Sequence, residues 1–260
     1  MLVRGDGLLV GQPAHAWVSG QLARAWGNAA FPQPAPREPF CLAAEQHDVG
    51  WSDADLAPLA GPDGRPLSFL EQPRAAHVAI WRDAARRLLA QSRYAALLVS
   101  LHGTSLYARV DPDAEPPEIA AAIRDYLGRE RSLQSQLAAG LDPTEVDSNR
   151  RLLLALDRLS LMLCHERATT IADVPSAGGP ATLRLEPGAE GGEPAAGARD
   201  DRPVPPETAT ARFTLDPWPF AADAVVVGCE ARRLEDPRDD LRAAVAEAPW
   251  VPLRWELTRG

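Results

Sequence analysis

Apolar positions along the first two thirds of the chain recur at three- and four-residue steps, the spacing that gathers side chains on one face of a helix. His15, Val18, Leu22 and Trp26 make the first such stripe, entered through Pro13, which suits a first helical turn because that turn needs no N–H. A short helix is predicted over residues 40–48, followed by a loop over residues 50–66. Further stripes run through His77, Ile80, Trp81, Ala84 and Leu88, and through Leu97, Leu98, Leu101, His102 and Leu106. Pro116 and Pro117 open a helix to about residue 139. The clearest stripe, Leu152, Leu153, Leu156, Leu159 and Leu163, belongs to a helix over residues 145–167.

The pattern then changes. Residues 2–10 read as a hairpin around Gly5-Asp6-Gly7, and residues 182–186 alternate as a short strand would. Residues 188–206 are rich in Gly, Pro, Ala and acids, and read as a flexible insertion that buries too little apolar surface to order itself. Three further strands are predicted over residues 211–215, 224–234 and 251–258, with a helix over 239–247 between the last two. The expected architecture is mostly α: a helical core with a small sheet made by the C-terminal tail, with the N-terminal hairpin as a candidate to join it. Its parts are a hairpin (1–10), a helical metal-binding core (11–174), a flexible Gly/Pro-rich insertion (175–210) and a β-rich segment packed on the core (211–260).

Composition narrows the chemistry. The 260 residues carry 27 basic and 36 acidic side chains, a net charge of −9, and every basic one is an arginine. Without lysine there is no Schiff-base amine, no Walker-type phosphate-loop lysine and no lysine general base. The net acidity argues against binding a nucleic acid polymer through phosphates. No apolar run approaches the ~18 residues of a membrane span, and the first residues do not read as a signal peptide. Three cysteines without metal-like spacing, Cys41, Cys164 and Cys229, read as free thiols, so a cytoplasmic location is expected.

Four of the five histidines, His15, His47, His77 and His102, are spaced by about one helix and a connection each. Each can therefore come from a different helix and face one centre. His47 is followed by Asp48, and Asp157 sits among leucines in the strongest helix, where a lone carboxylate is costly unless paired or bound to a cation. Imidazoles and carboxylates together suit one or two divalent transition metals such as Fe, Mn, Co, Zn or Ni. Each position also has a plain alternative: an exposed helix start for His15, a turn cap for His47-Asp48, a surface face for His77, a core histidine for His102, and a salt bridge to Arg158 or Arg124 for Asp157.

The order His, His-Asp, His, His, Asp on successive helices resembles the HD-domain superfamily of metal-dependent phosphohydrolases. More closely, Gln12-Pro13-Ala14-His15, His47-Asp48-Val49-Gly50-Trp51, Ser100-Leu101-His102-Gly103 and Leu156-Asp157-Arg158-Leu159-Ser160-Leu161 resemble an uncharacterised bacterial family known only as a domain of unknown function, with an HDxGW signature. The superfamily resemblance implies that His15, His47, Asp48 and Asp157 hold one metal. His77 and His102 would complete a second site, with Asp48 as the bridge. Two features depart from the superfamily: a long interval before Asp157, and no lysine after His-Asp.

These residues point to a metal-dependent hydrolase acting on a phosphoester of a small molecule or nucleotide through a metal-bound hydroxide, with a small anionic substrate as partner. Asp48 would carry the chemistry. Asp53, with Asp55 beside it, would orient imidazoles, move protons or simply cap a turn. Arg158 and Arg82 are the candidate anion forks. The same residue order also resembles di-iron oxygenases of that helical fold, and a non-catalytic ligand-binding scaffold is a third reading. Iron with oxygen consumption marks the second; a histidine turned away from the centre favours the third. His165 reads as a histidine at a helix terminus.

Overall fold

A computed structural model describes residues 1–188, 210–235 and 240–260. The hairpin forms as expected: β1 (Leu2–Val3) pairs antiparallel with β2 (Leu8–Val10) around Gly7, which holds a positive φ of 80°. Helices α1 (Gln12–Ala25) and α2 (Arg37–Gln46) follow. The segment expected as a loop instead holds a 3-10 turn at Val49–Trp51 and the short helix α3 (Ser52–Leu56). The stripe from His77 to Leu88 is two helices, α4 (Arg74–Trp81) and α5 (Ala84–Arg87), separated at Arg82-Asp83. Next come α6 (Arg93–Leu106), α7 (Pro117–Leu137) and α8 (Pro143–His165). Side chains cap two of these: Ser92 accepts from the Ala95 N–H, and Asp142 from the Thr144 N–H just behind Pro143.

The sheet overturns the expectation of a mostly α fold with a small sheet. The protein is 48% helix and 21% strand, with one curled seven-stranded mixed sheet. After α8 ends at Glu166, in the left-handed region with φ 53°, the chain turns into β3 (Thr169–Val174). It continues through β4 (Ala181–Pro187), β5 (Thr210–Asp216), β6 (Ala224–Arg233), helix α9 (Leu241–Glu247) and β7 (Trp250–Arg259). Strand order is β1-β2-β6-β7-β5-β4-β3, antiparallel throughout except for the parallel β5–β7 pair. The tail therefore occupies only the middle of a sheet whose two edges come from the hairpin and from residues 169–187. Of the stretch read as a flexible insertion, residues 189–209 lie outside the described residues, and the short strand expected over 182–186 forms as β4.

Alternation explains which face of the sheet is covered. Leu253, Trp255 and Leu257 on β7, Val225, Val227 and Cys229 on β6, Phe213 and Leu215 on β5, and Leu183 and Leu185 on β4 are all buried at every second position. This face meets the helices: α1 packs on β6, and α8 on β3. Gln21 of α1 ties the layers together, donating to the Gly228 carbonyl and accepting from its N–H. Helix α1 also packs against α2 and α8, so it lies between the sheet and the other helices and carries His15 into the interior. Cys41, Cys164 and Cys229 are free and buried. Among the described residues no helix is long and apolar enough to cross a membrane.

Candidate metal centre

His15 projects from α1 and is fully buried. Its Nε2 lies 2.7 Å from Asp48 Oδ2, and its Nδ1 lies 3.0 Å from Ser160 Oγ on α8. Ser160 is fixed in turn, donating to the Asp157 carbonyl and accepting from the Ser19 hydroxyl at 2.8 Å. The start of α1 is pinned by Asp55, which accepts both the Gln12 N–H and the Met1 amine. Burial pushes the Asp55 carboxyl up, against the pull of that amine.

His47 ends α2, where unpaired helix carbonyls need donors. Its Nδ1–H donates to the Ala44 carbonyl at 2.9 Å, which leaves Nε2 as the free ring atom. That Nε2 lies 3.4 Å from Asp157 Oδ1 and 3.7 Å from Asp48 Oδ2, yet it is buried with no aligned hydrogen bond. His102, on α6, is also buried; its Nε2 is 3.9 Å from Asp157 Oδ2 and its Nδ1 has no hydrogen-bond partner. The rings of His15 and His47 are 5.1 Å apart between centroids, and those of His47 and His102 are 4.8 Å apart.

The electrostatics follow from this crowding. Burial disfavours a charged His47, but Asp48 and Asp157 outweigh it and push its pKa up to about 9. Burial, followed by the neighbouring His47, pushes His102 down to about 4. Burial would raise both carboxyls, yet the adjacent imidazoles hold Asp157 well below the ordinary range and lower Asp48 as well.

Two overlapping groups emerge, His15/His47/Asp48 and His47/His102/Asp157, joined at His47. Donors bound to one ion at about 2.0–2.2 Å stand no more than about 4.4 Å apart. The close pairs within these groups, at 2.7, 3.7, 3.4 and 3.9 Å, meet that limit. A buried polar atom without a partner costs about 1–3 kcal/mol, so the unpartnered His47 Nε2 beside two carboxylates fits a cation, with His102 Nε2 also turned toward Asp157. With no thiolate in either group, the donor set is of the borderline kind that divalent Fe, Mn, Co, Zn or Ni accepts.

Five of the six expected ligands therefore come together. His77 does not join them, the placement that favours the non-catalytic scaffold over a two-metal site. It lines the neighbouring cavity, hydrogen-bonded through Nδ1 to the Tyr107 hydroxyl at 2.6 Å and flanked by Trp51 and Trp81. The structure also places two expected catalytic groups away from the centre. Asp53 is 84% exposed and pairs with Arg87, because it lies on the outer side of α3. Arg158 is exposed, since the residue after Asp157 points off the buried face of α8; Arg82 is exposed as well. Arg124 pairs with Asp113 rather than with Asp157.

A cavity of about 250 Å³ opens onto Asp48, His102 and Asp157. Its walls include Trp51, Trp81, Phe69, Leu106, His77 and Arg74. Arg74 and the serines were not picked out from sequence, although spacing held a signal: Arg74 is one turn before His77, Ser19 one turn after His15, and Ser160 one turn after Asp157.

A family model described as a protein of unknown function, DUF3891, matches residues 1–236. The chain belongs to the DUF3891 family. The match spans the helices that carry the histidines and the strands β1 to β6, so in this DUF3891 chain the centre and all of the sheet but β7 fall within the matched residues. Neither the curated proteins nor the solved structures gave a match.

Proposed function

We propose that this DUF3891 protein is a metal-dependent hydrolase of a small phosphoester. The observation that carries the reading is the buried His47 Nε2, unpartnered between Asp48 and Asp157 and opening, through Asp157, onto a cavity walled by an arginine. The order His, His-Asp, His, Asp on successive helices, which resembles the HD-domain phosphohydrolases, supports it.

His15, His47, Asp48, His102 and Asp157 would hold the cation or cations. When bound, a divalent ion there lowers the pKa of water and neutralises charge on phosphoryl oxygens. The chain's own groups do the rest. Ser160 and Ala44 fix the orientation of the His15 and His47 rings. Arg74, whose Nε donates to Glu115 at 3.2 Å, presents a cation at the cavity wall for an anionic substrate. Trp51, Trp81, Phe69 and Leu106 give the cavity an apolar lining that limits water at the reacting group.

The test is phosphate release from a panel of phosphomonoesters and phosphodiesters, using protein loaded in turn with Mn, Fe, Co, Ni and Zn. The reading predicts release with at least one metal and its loss in Asp157→Asn. Metal-loaded protein that consumes oxygen with iron, and releases phosphate from nothing, would overturn it.

A further inference from the structure

Resting on that reading, we infer that His77 is a hydrogen-bond donor to the substrate's anionic group rather than a metal ligand, set in its Nε2–H form by Tyr107. The geometry carries the argument. The Tyr107 side chain is buried, and its hydroxyl has one hydrogen bond among the described residues, to His77 Nδ1 at 2.6 Å. Burial keeps the phenol protonated by pushing its pKa up. A protonated, buried phenol needs an acceptor, and a neutral imidazole offers one only at the nitrogen without hydrogen. The Tyr107 O–H therefore donates to Nδ1, and the ring proton sits on Nε2.

Trp51 and Trp81 fix the ring from two sides, with centroids at 5.6 and 6.4 Å. His77 lines the same cavity as Asp48, Asp157 and His102 while standing outside both ligand groups. Arg74 lies one helical turn before it on α4, in the same wall. An Nε2–H and a guanidinium on one wall, facing a cation-binding cluster across about 250 Å³, form a cradle for one compact anion. Small-molecule sites typically span about 300–1,000 Å³. Arg74 is the one cation among the described lining residues. The group that fits this cradle is a single phosphoryl group, so the substrate class is a phosphomonoester whose terminal phosphate enters the cavity.

Two measurements test this. In ¹⁵N-labelled wild-type protein the His77 imidazole is expected to show a protonated Nε2 and an acceptor Nδ1, and Tyr107→Phe is expected to mix the two tautomers. A protonated Nδ1 in wild type overturns the assignment. Inorganic phosphate is then titrated calorimetrically into metal-loaded protein. His77→Leu is expected to keep full metal content and lose about tenfold or more in phosphate affinity, as for a neutral donor on a charged acceptor; Arg74→Ala should lose at least as much. Loss of metal in His77→Leu makes it a ligand and overturns the inference, as does unchanged phosphate affinity. If no ester is hydrolysed while these binding and tautomer results hold, the hydrolase reading fails and the anion cradle stands.

Discussion

At the residue scale, the centre is set by which ring nitrogen each histidine keeps free. His47 gives Nδ1 to a helix-end carbonyl, so Nε2 faces the carboxylates. This has a consequence for stability in metal-free protein. Because the folded pKa of His47 is raised to about 9, its contribution is fully present below its unfolded value of about 6.5 and is lost as pH climbs through 9. His102 is buried and His77 half-buried, and both are pushed down to about 4, so the unfolded chain binds more protons than the native one between about 4 and 6.5, and stability falls as pH drops through that window. Metal-free protein should therefore show its highest melting temperature near neutrality, and metal loading should remove the alkaline decline; melting curves from pH 4 to 10 with and without metal check both. Ser160→Ala deletes the partner of His15 Nδ1 and should weaken metal binding about 10–100-fold with little change in fold, read by competition with a chelating dye. That His15, His47, His102 and Asp157 could meet was legible from the interval of about one helix between histidines and from a carboxylate set among leucines, with Asp48 following from its place beside His47. Asp53 and Arg158 were not separable from site residues, since being next to a ligand in sequence says nothing about the side of a helix a residue faces.

At the element scale, two close approaches hold the centre together. On α1, a Cβ at Gly20 would stand 2.8 Å from the Glu45 Cβ of α2, so only glycine lets these helices meet closely enough to bring His15 to Asp48. Gly20→Val should cost about 1–3 kcal/mol by overpacking and weaken metal binding as α1 and α2 separate, measurable by denaturant titration and metal content. On α6, a Cβ at Gly103 would meet Tyr126 Oη at 2.5 Å and Trp81 Cε3 at 2.7 Å, which packs the helix of His102 against α7 and α4. The helices were readable from their apolar period, apart from the break at Arg82-Asp83, where residues 77–88 fit one stripe and geometry divides it. Residues 52–56 were missed because five residues are too few to show a period.

At the scale of the whole molecule, the sheet was underestimated because its pairings are not local. β2 pairs with β6 across more than two hundred residues, and β3, Thr169–Val174, follows directly on the strongest helix and shows no clean two-residue alternation, whereas the alternation of β4 was legible. The sheet matters to the centre because α1 rests on β6 and α8 on β3. Residues 11–174 expressed alone should therefore unfold without a cooperative transition and bind no metal tightly, whereas the full chain melts as one unit. A fragment that melts cooperatively would make the sheet dispensable. The central claim, that His15, His47, Asp48, His102 and Asp157 form a cation site, is tested most directly by anomalous scattering from crystals of the full chain. A peak is expected beside His47 Nε2, between Asp48 and Asp157, and should disappear in His47→Ala. Crystals grown with each candidate metal that show no peak there would contradict the claim.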